Sequence, residues 1–122
     1  MYHSKNIAIF IDDQQYFNHC KYMFEASGYH IVGVASSLEQ ANHLLTRLDQ
    51  YQIGAAIIDG CLSKNKSDCK EGSSIANKVK KINRSIITIG FDTVNDVPGA
   101  DYQSPKIDGT SKLINLLDEI LN

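Results

Sequence analysis

The chain has 122 residues, of which 43% are hydrophobic, and its formal net charge at pH 7 is -2. This length suits one core, so we expect a single domain over residues 1–122. A negative net charge provides no positive potential to hold the phosphate backbone of a nucleic acid. No apolar run approaches the roughly 20 residues that span a bilayer. We therefore expect a cytoplasmic protein without direct nucleic-acid or membrane partners.

The first strand and helix are indicated by a change of hydrophobic pattern. Residues 6–11 form a nearly continuous apolar run that stops at Asp12 and Asp13, which is typical of a strand buried on both faces of a parallel sheet. Helical spacing then predicts a helix over residues 14–27, with Gly28 where it would end. Its predicted core stripe is Tyr16, Phe17, Cys20, Met23 and Phe24.

A second strand and helix follow. Residues 30–35 are predicted to form the strand, and Ser37 with Gln40 matches the Ser-x-x-Gln capping box that opens a helix. The predicted buried stripe of this helix is Leu38, Ala41, Leu45 and Leu48.

The second half of the chain repeats the alternation. Residues 53–58 form another apolar run that ends in a carboxylate, Asp59, and a long polar stretch over residues 60–72 follows. The remaining predicted elements are a helix carrying Ile75, Ala76, Val79 and Ile82, a strand over 85–89, a weaker strand over 99–103, and a helix carrying Leu113, Leu116, Leu117 and Ile120. Strands alternating with helices predict a parallel sheet covered on both faces. Residues 91–98 are too few for a full helix with its two connections.

Charged residues follow the ends of three predicted strands. Asp12 and Asp13 follow the first, Asp59 the third, and Lys106 the fifth. Open parallel sheets bind ligands at this edge, and carboxylates that converge there repel one another unless a cation is present. Magnesium suits such a site because it prefers oxygen ligands and keeps several waters, although oxygen ligands alone do not distinguish it from calcium. Such a metal would screen an incoming phosphoryl group from the acids. Asp59 would then attack the phosphorus of that group in line, and Lys106 would hold one of its oxygens.

Simpler interpretations exist for each of these residues. A lone aspartate at a strand end more often forms a turn or caps a helix, so the prediction depends on the joint occurrence of the acids and the lysine. The three cysteines, Cys20, Cys61 and Cys69, lack zinc-ligand spacing and are expected to be reduced thiols.

The acidic pair after residues 9–11, Asp59 after residues 56–58, and Lys106 downstream of Gly99 together resemble a response-regulator receiver domain of two-component signalling. The resemblance runs from about residue 6 to residue 121. It implies a flavodoxin-like, doubly wound α/β fold with five parallel strands in the order 2-1-3-4-5. It also implies Mg²⁺ as the cofactor, and the site residues it carries over are Asp12 and Asp13 as the acidic metal pair, Asp59 as phosphoacceptor and further metal ligand, the backbone carbonyl of Cys61 as another ligand, and Lys106 as the phosphoryl contact.

The sequence departs from that family in its output half. Gly90 stands where receivers usually have a threonine or serine hydroxyl, and Gln103 where they have an aromatic switch residue. Pro105 precedes Lys106, whereas the family pattern is Lys-Pro. The loop after Asp59, with Lys64, Lys66 and Lys70, is about five residues longer than usual, and helix four is expected to be shortened or missing.

The resemblance implies a phosphoacceptor that takes its phosphoryl group from a phosphohistidine donor, either a histidine kinase or a histidine phosphotransfer protein. Such a domain assists its own phosphorylation and dephosphorylation and is otherwise not an enzyme, and it acts on a downstream protein partner that the sequence does not identify. The main alternative is a degenerate pseudo-receiver that binds proteins without phosphorylation. A small phosphohydrolase would need Asp-x-Asp after the first strand, but here the acids are adjacent.

Overall fold

The protein is described by a computed structural model that covers residues 4–60, 71–92 and 97–121. Within those ranges five parallel strands form a sheet in the order β2-β1-β3-β4-β5. The strands are β1 (Asn6–Phe10), β2 (His30–Ala35), β3 (Ile53–Ile58), β4 (Ile87–Gly90) and β5 (Tyr102–Gln103). The helices there are α1 (Gln14–Ala26), α2 (Leu38–Leu45), α3 (Glu71–Ile82) and α4 (Thr110–Leu121). The predicted flavodoxin-like order is confirmed.

Two apolar layers cover the two faces of the sheet. On one face, residues such as Phe10 and Ile58 pack with α2 and α3, and on the other, residues such as Ile9 and Ile57 pack with α1 and α4. Every residue of β3 is buried, because parallel strands in the middle of such a sheet have helices on both sides. None of the helices in the described ranges has the length and apolar character needed to cross a bilayer.

The helix starts follow from capping side chains. Asp13 Oδ1 accepts a hydrogen bond from the Tyr16 N–H at 3.0 Å and begins α1. Ser37 Oγ accepts from the Gln40 N–H at 3.1 Å and begins α2, but the Gln40 side chain returns to the N–H of Ser36 at 2.8 Å rather than to that of Ser37. The first hydrogen bond of the predicted capping box is therefore present, but the second one reaches the residue before the N-cap.

Leu38 and Met23 are corrections to the predicted stripes. Leu38 is 42% exposed, and the buried residues of α2 are Ala41, Leu44 and Leu45. Since α2 begins at the carboxyl edge of the sheet, its first turn has little of the sheet beneath it. Met23 is 39% exposed, whereas its neighbour Phe24 is buried.

The β4–β5 connection contains no helix in its described parts, residues 91–92 and 97–101. The last strand is also shorter than the predicted 99–103. Hydrogen bonds to side chains add to the few backbone contacts of this short strand. The Thr88 N–H donates to Asp101 Oδ2 at 3.0 Å, and the Asp101 N–H donates to Thr88 Oγ1 at 2.9 Å. Lys80 of α3 forms an ion pair with the same carboxylate. An edge strand of two residues is therefore fastened to β4 and α3 by side chains.

Candidate functional site

The ends of β1 and β3 lie side by side at the carboxyl edge of the sheet. Phe10 and Ile58 are register partners, and the Asp59 N–H donates to the Phe10 carbonyl at 2.8 Å. Asp59 is 3% exposed, Asp12 is partly buried and Asp13 is exposed. The parallel register therefore brings the acidic pair to the strand end that neighbours Asp59.

Lys106 contacts Asp59 directly. Its Nζ lies 2.6 Å from Asp59 Oδ2, and the two side chains are 13% and 4% exposed. The backbone N–H of Lys106 donates to the carbonyl of Asp92 at 3.0 Å, which attaches the lysine to the chain just beyond β4. The ion pair gives each of two nearly buried charges a hydrogen-bonded partner, which burial requires.

Two aromatic rings surround the same ammonium group. Lys106 Nζ lies 5.6 Å from the ring centroid of Tyr16 and 5.9 Å from that of Phe91. The sequence places Tyr16 on a core stripe and assigns Phe91 to no element, so neither was predicted as a site residue. Only Tyr16 carries a signal in the sequence, because it lies in the first turn of the helix that follows the acidic pair.

Asp13 serves as a helix cap, the simpler role considered for a strand-end aspartate. The cap uses Oδ1 to accept the Tyr16 N–H. A carboxylate has two oxygens, so capping α1 and contributing an oxygen to a cation are compatible roles.

Gly90 and Gln103, the two departures in the output half, are in contact with each other. They are register partners at the end of the β4–β5 pairing. A Cβ at Gly90 would collide with Gln103 Oε1 and would lie 2.8 Å from Val97 Cβ. The Gln103 amide makes two hydrogen bonds to the backbone of Val97, accepting from its N–H at 2.9 Å and donating to its carbonyl at 2.8 Å. The glutamine therefore needs a glycine at position 90.

No family model matches the chain, and no curated protein matches it. Solved structures do. A CheY-like response regulator receiver domain protein from Methanospirillum hungatei JF-1 superposes with a TM-score of 0.70 at 22% identity and 95% coverage of each chain. A receiver domain protein from Clostridium thermocellum gives 0.75 at 20% identity, covering 96% of this chain and 94% of that one. The receiver domain of a DNA-binding response regulator from Colwellia psychrerythraea 34H gives 0.69 at 19% identity, covering 93% and 95%.

This chain has the receiver-domain fold. The resemblance seen in the sequence is thereby confirmed at the level of architecture. In the receiver fold the carboxyl edge is where Asp12, Asp13, Asp59 and Lys106 lie. Sequence identities of 19–22% establish the shared fold alone, and the chemistry of this chain depends on its own side chains at that edge.

The donors at this edge suit a hard cation. Among the described residues, no three histidine, cysteine, aspartate or glutamate side chains are grouped closely enough to hold a metal ion between them. Carboxylate oxygens are nevertheless the ligands that Mg²⁺ prefers, and it commonly takes only one or two of them and keeps its waters. The residues therefore fit an Mg²⁺ ion that keeps most of its water ligands. Cys61, whose carbonyl is a predicted ligand, lies outside the described residues, as do Cys69 and the loop lysines.

A fourth acid at this edge was not predicted. Asp92 follows β4 by two residues, and a Cβ placed on Gly60 would lie 3.1 Å from the Asp92 Cγ and Oδ2 atoms. Its carboxylate is therefore beside the residue that follows Asp59. Its position just beyond a strand end was a usable signal, but the segment from residue 91 to 98 had no assigned element.

Cys20 is a buried free thiol on α1. Burial raises the pKa of this thiol, and a hydrogen bond with Thr110 and the charge of Lys106 oppose that shift only in part. Burial together with a raised pKa is typical of a structural cysteine and not of a nucleophilic one.

Proposed function

We propose that the chain is a phosphoacceptor receiver domain of two-component signalling, in which Asp59 takes a phosphoryl group from a phosphohistidine. The observation that carries the proposal is the contact of 2.6 Å between Lys106 Nζ and Asp59 Oδ2, nearly buried at the carboxyl edge of a receiver fold. A nearly buried carboxylate paired with a lysine ammonium suits a group that alternates between a free and a phosphorylated state, because the ammonium can pair with either the carboxylate or a phosphoryl oxygen.

The proposed step is an in-line displacement. An oxygen of Asp59 attacks phosphorus, and the bond from phosphorus to the imidazole nitrogen of the donor breaks. The electron pair stays on that nitrogen, and Asp59 becomes an acyl phosphate. Lys106 then exchanges its contact with Asp59 Oδ2 for one with a phosphoryl oxygen. Because the ammonium is already in place, this exchange needs little reorganisation.

One or two of the carboxylates of Asp12, Asp13 and Asp59 would hold Mg²⁺, and water molecules would fill its remaining positions. When bound, Mg²⁺ would neutralise the charge that develops on the phosphoryl oxygens. The acids of this chain would otherwise repel an incoming phosphoryl group, and Lys106 alone offsets one negative charge. We therefore include the cation in the proposal as the cofactor.

The proposed partners are a histidine kinase or histidine phosphotransfer protein and a downstream protein that recognises the altered surface. Phosphorylation adds roughly -1.5 to -2 charge and new acceptor oxygens, which is sufficient to bias a loop or an interface. In this proposal residues 1–122 function as one cytoplasmic signalling domain and not as an enzyme with a separate substrate.

A second candidate function is favoured by Gly90 and Gln103. Position 90 has no hydroxyl to contact a phosphoryl group, and the amide of Gln103 occupies the space beside it. A pseudo-receiver that binds its partner without phosphorylation would have no need of that hydroxyl.

Incubation with acetyl phosphate and Mg²⁺, followed by intact-mass measurement, separates the two functions. We expect one phosphoryl adduct on the native protein and none on Asp59→Asn. Asp49→Asn is the matched control, because Asp49 is an exposed aspartate outside the site and its replacement leaves the adduct in place. A chelator added before acetyl phosphate should prevent the adduct. Absence of an adduct on the native protein, under conditions that modify an ordinary receiver, would favour the pseudo-receiver.

A further inference from the structure

The ammonium group of Lys106 is contacted from several directions. Asp59 Oδ2 lies 2.6 Å from Nζ, and the rings of Tyr16 and Phe91 lie over it with centroids at 5.6 and 5.9 Å. The two rings also contact each other, with centroids 5.9 Å apart and planes inclined by 52°. Phe91 is 2% exposed and Tyr16 is partly buried. The lysine thus ends between two touching rings and one carboxylate.

This arrangement has a physical effect on the lysine. The face of an aromatic ring attracts a cation within about 6 Å of its centroid, and the attraction increases where water is excluded. A lysine side chain has four rotatable bonds and loses considerable rotamer entropy when its ammonium group is held in one place. Rings that define the position of Nζ in advance remove part of that cost from the step in which the lysine is used.

We propose that Tyr16 and Phe91 are positioning residues that hold the Lys106 ammonium against Asp59 and within reach of an arriving phosphoryl oxygen. The part that concerns the phosphoryl group rests on the function proposed above. The part that concerns the lysine does not, because the contacts exist in the unphosphorylated protein.

The two rings come from separate elements. Tyr16 belongs to the first turn of α1, whose cap is Asp13, and Phe91 directly follows β4, with its N–H donating to the Ile58 carbonyl at 2.8 Å. Lys106 comes from the segment after β5. The clamp of Tyr16 and Phe91 therefore connects α1, the end of β4 and the β5–α4 segment around one charge.

The same helix offers a matched control. Lys21 lies over the ring of Tyr22 at 5.3 Å, but Tyr22 is 68% exposed and is not part of the site. Replacing Tyr22 removes a cation–ring contact of similar length without touching Lys106.

The first test measures the position of Lys106 without phosphorylation. Ring currents should shift the NMR signals of the Lys106 methylene next to Nζ upfield of those of exposed lysines. We expect Tyr16→Leu and Phe91→Leu each to move these signals back, Tyr16→Phe to restore them because it keeps a ring, and Tyr22→Leu to leave them in place. Circular dichroism verifies that each variant is folded. Lys106 signals that coincide with those of exposed lysines and ignore both ring deletions would overturn the clamp.

The second test measures the rate of adduct formation with acetyl phosphate and Mg²⁺. Tyr16→Leu and Phe91→Leu should each slow it by roughly two- to thirty-fold, the range to which one cation–π contact corresponds. Tyr22→Leu should react at the native rate. Rates that stay native in both ring variants would overturn the positioning role. A native protein that forms no adduct while the NMR shifts respond to ring deletion refutes the phosphoacceptor function but supports the clamp on Lys106.

Discussion

Gly90→Ala tests whether the glycine and Gln103 form one structural feature. The added Cβ would collide with Gln103 Oε1 and approach Val97 Cβ to 2.8 Å. The side chain of Gln103 is the part that can move. We therefore expect the amide to leave its place and to lose both hydrogen bonds to the Val97 backbone.

The magnitude follows from the groups left behind. Val97 is 1% exposed, so water does not easily replace the lost partners of its N–H and carbonyl. A buried polar group left unsatisfied costs about 1–3 kcal/mol, which suggests a loss of about 2–4 kcal/mol in the free energy of unfolding for Gly90→Ala. Gln103→Ala removes the same two hydrogen bonds without a collision and should cost about 1–3 kcal/mol.

The double variant decides the question. In Gly90→Ala with Gln103→Ala the hydrogen bonds are lost only once and the collision with Oε1 is gone. The combined loss should therefore be smaller than the sum of the single losses by about 1–3 kcal/mol. Urea unfolding followed by circular dichroism gives these free energies, since the chain has no tryptophan to report by fluorescence.

Gly33→Ala combined with Gln103→Ala is the control cycle. A Cβ at Gly33 meets the flexible end of Leu44 at 2.7 Å, and Gly33 lies in β2, at the opposite edge of the sheet from β5. These two changes should be additive within about 0.5 kcal/mol. If the Gly90 and Gln103 changes were equally additive, the reasoning that joins them would be wrong.

Two further predictions concern aspartates. Asp13→Ala should lower the free energy of unfolding by about 1 kcal/mol through loss of the α1 cap, whereas Asp13→Asn keeps an accepting oxygen and should stay within a few tenths of a kcal/mol of the native value. Asp13→Asn should nevertheless lose Mg²⁺ affinity. Urea unfolding and calorimetric Mg²⁺ titration measure the two quantities, and an unchanged Mg²⁺ affinity in Asp13→Asn would exclude Asp13 as a ligand. For Asp101, burial favours a raised pKa, but hydrogen bonds from Lys80 and Thr88 outweigh it and lower the pKa. The native carboxylate then binds protons less readily than the unfolded one, so its contribution is present above the ordinary aspartate pKa of about 4 and is lost as pH falls through the native value. Asp101→Asn should therefore lose less stability than the native protein between about pH 6 and pH 2, and parallel stability curves would contradict this.

Much of the architecture could be predicted from local patterns. The run before Asp12 and the run before Asp59 are apolar because both strands are covered on two faces, and this property is readable without any partner. Parallel strands place their carboxyl ends at one edge, so the position of Asp12, Asp13 and Asp59 at that edge followed from the order of elements. Element ends were less predictable: Leu38 fits the helical period but lies in a first turn at the sheet edge.

The details of the site depended on tertiary structure. Lys106 and Asp59 are 47 positions apart, and nothing local specifies that their side chains meet. Tyr16 and Phe91 are residue types that usually pack in a core. Only the packing of α1 beside the end of β4 places their rings next to the Lys106 ammonium. Gly90 and Gln103 are two separate departures in the sequence, and only the register of β4 and β5 pairs them.

The sequence by itself therefore determined which segments are buried and which edge carries the charged residues, because burial leaves a periodic pattern along the chain. The tertiary structure alone decided which side chains touch Lys106 and which residue fills the space beside Gly90. The physical reason is that contacts between distant elements depend on register and side-chain volume, and neither property is written in any short stretch of sequence.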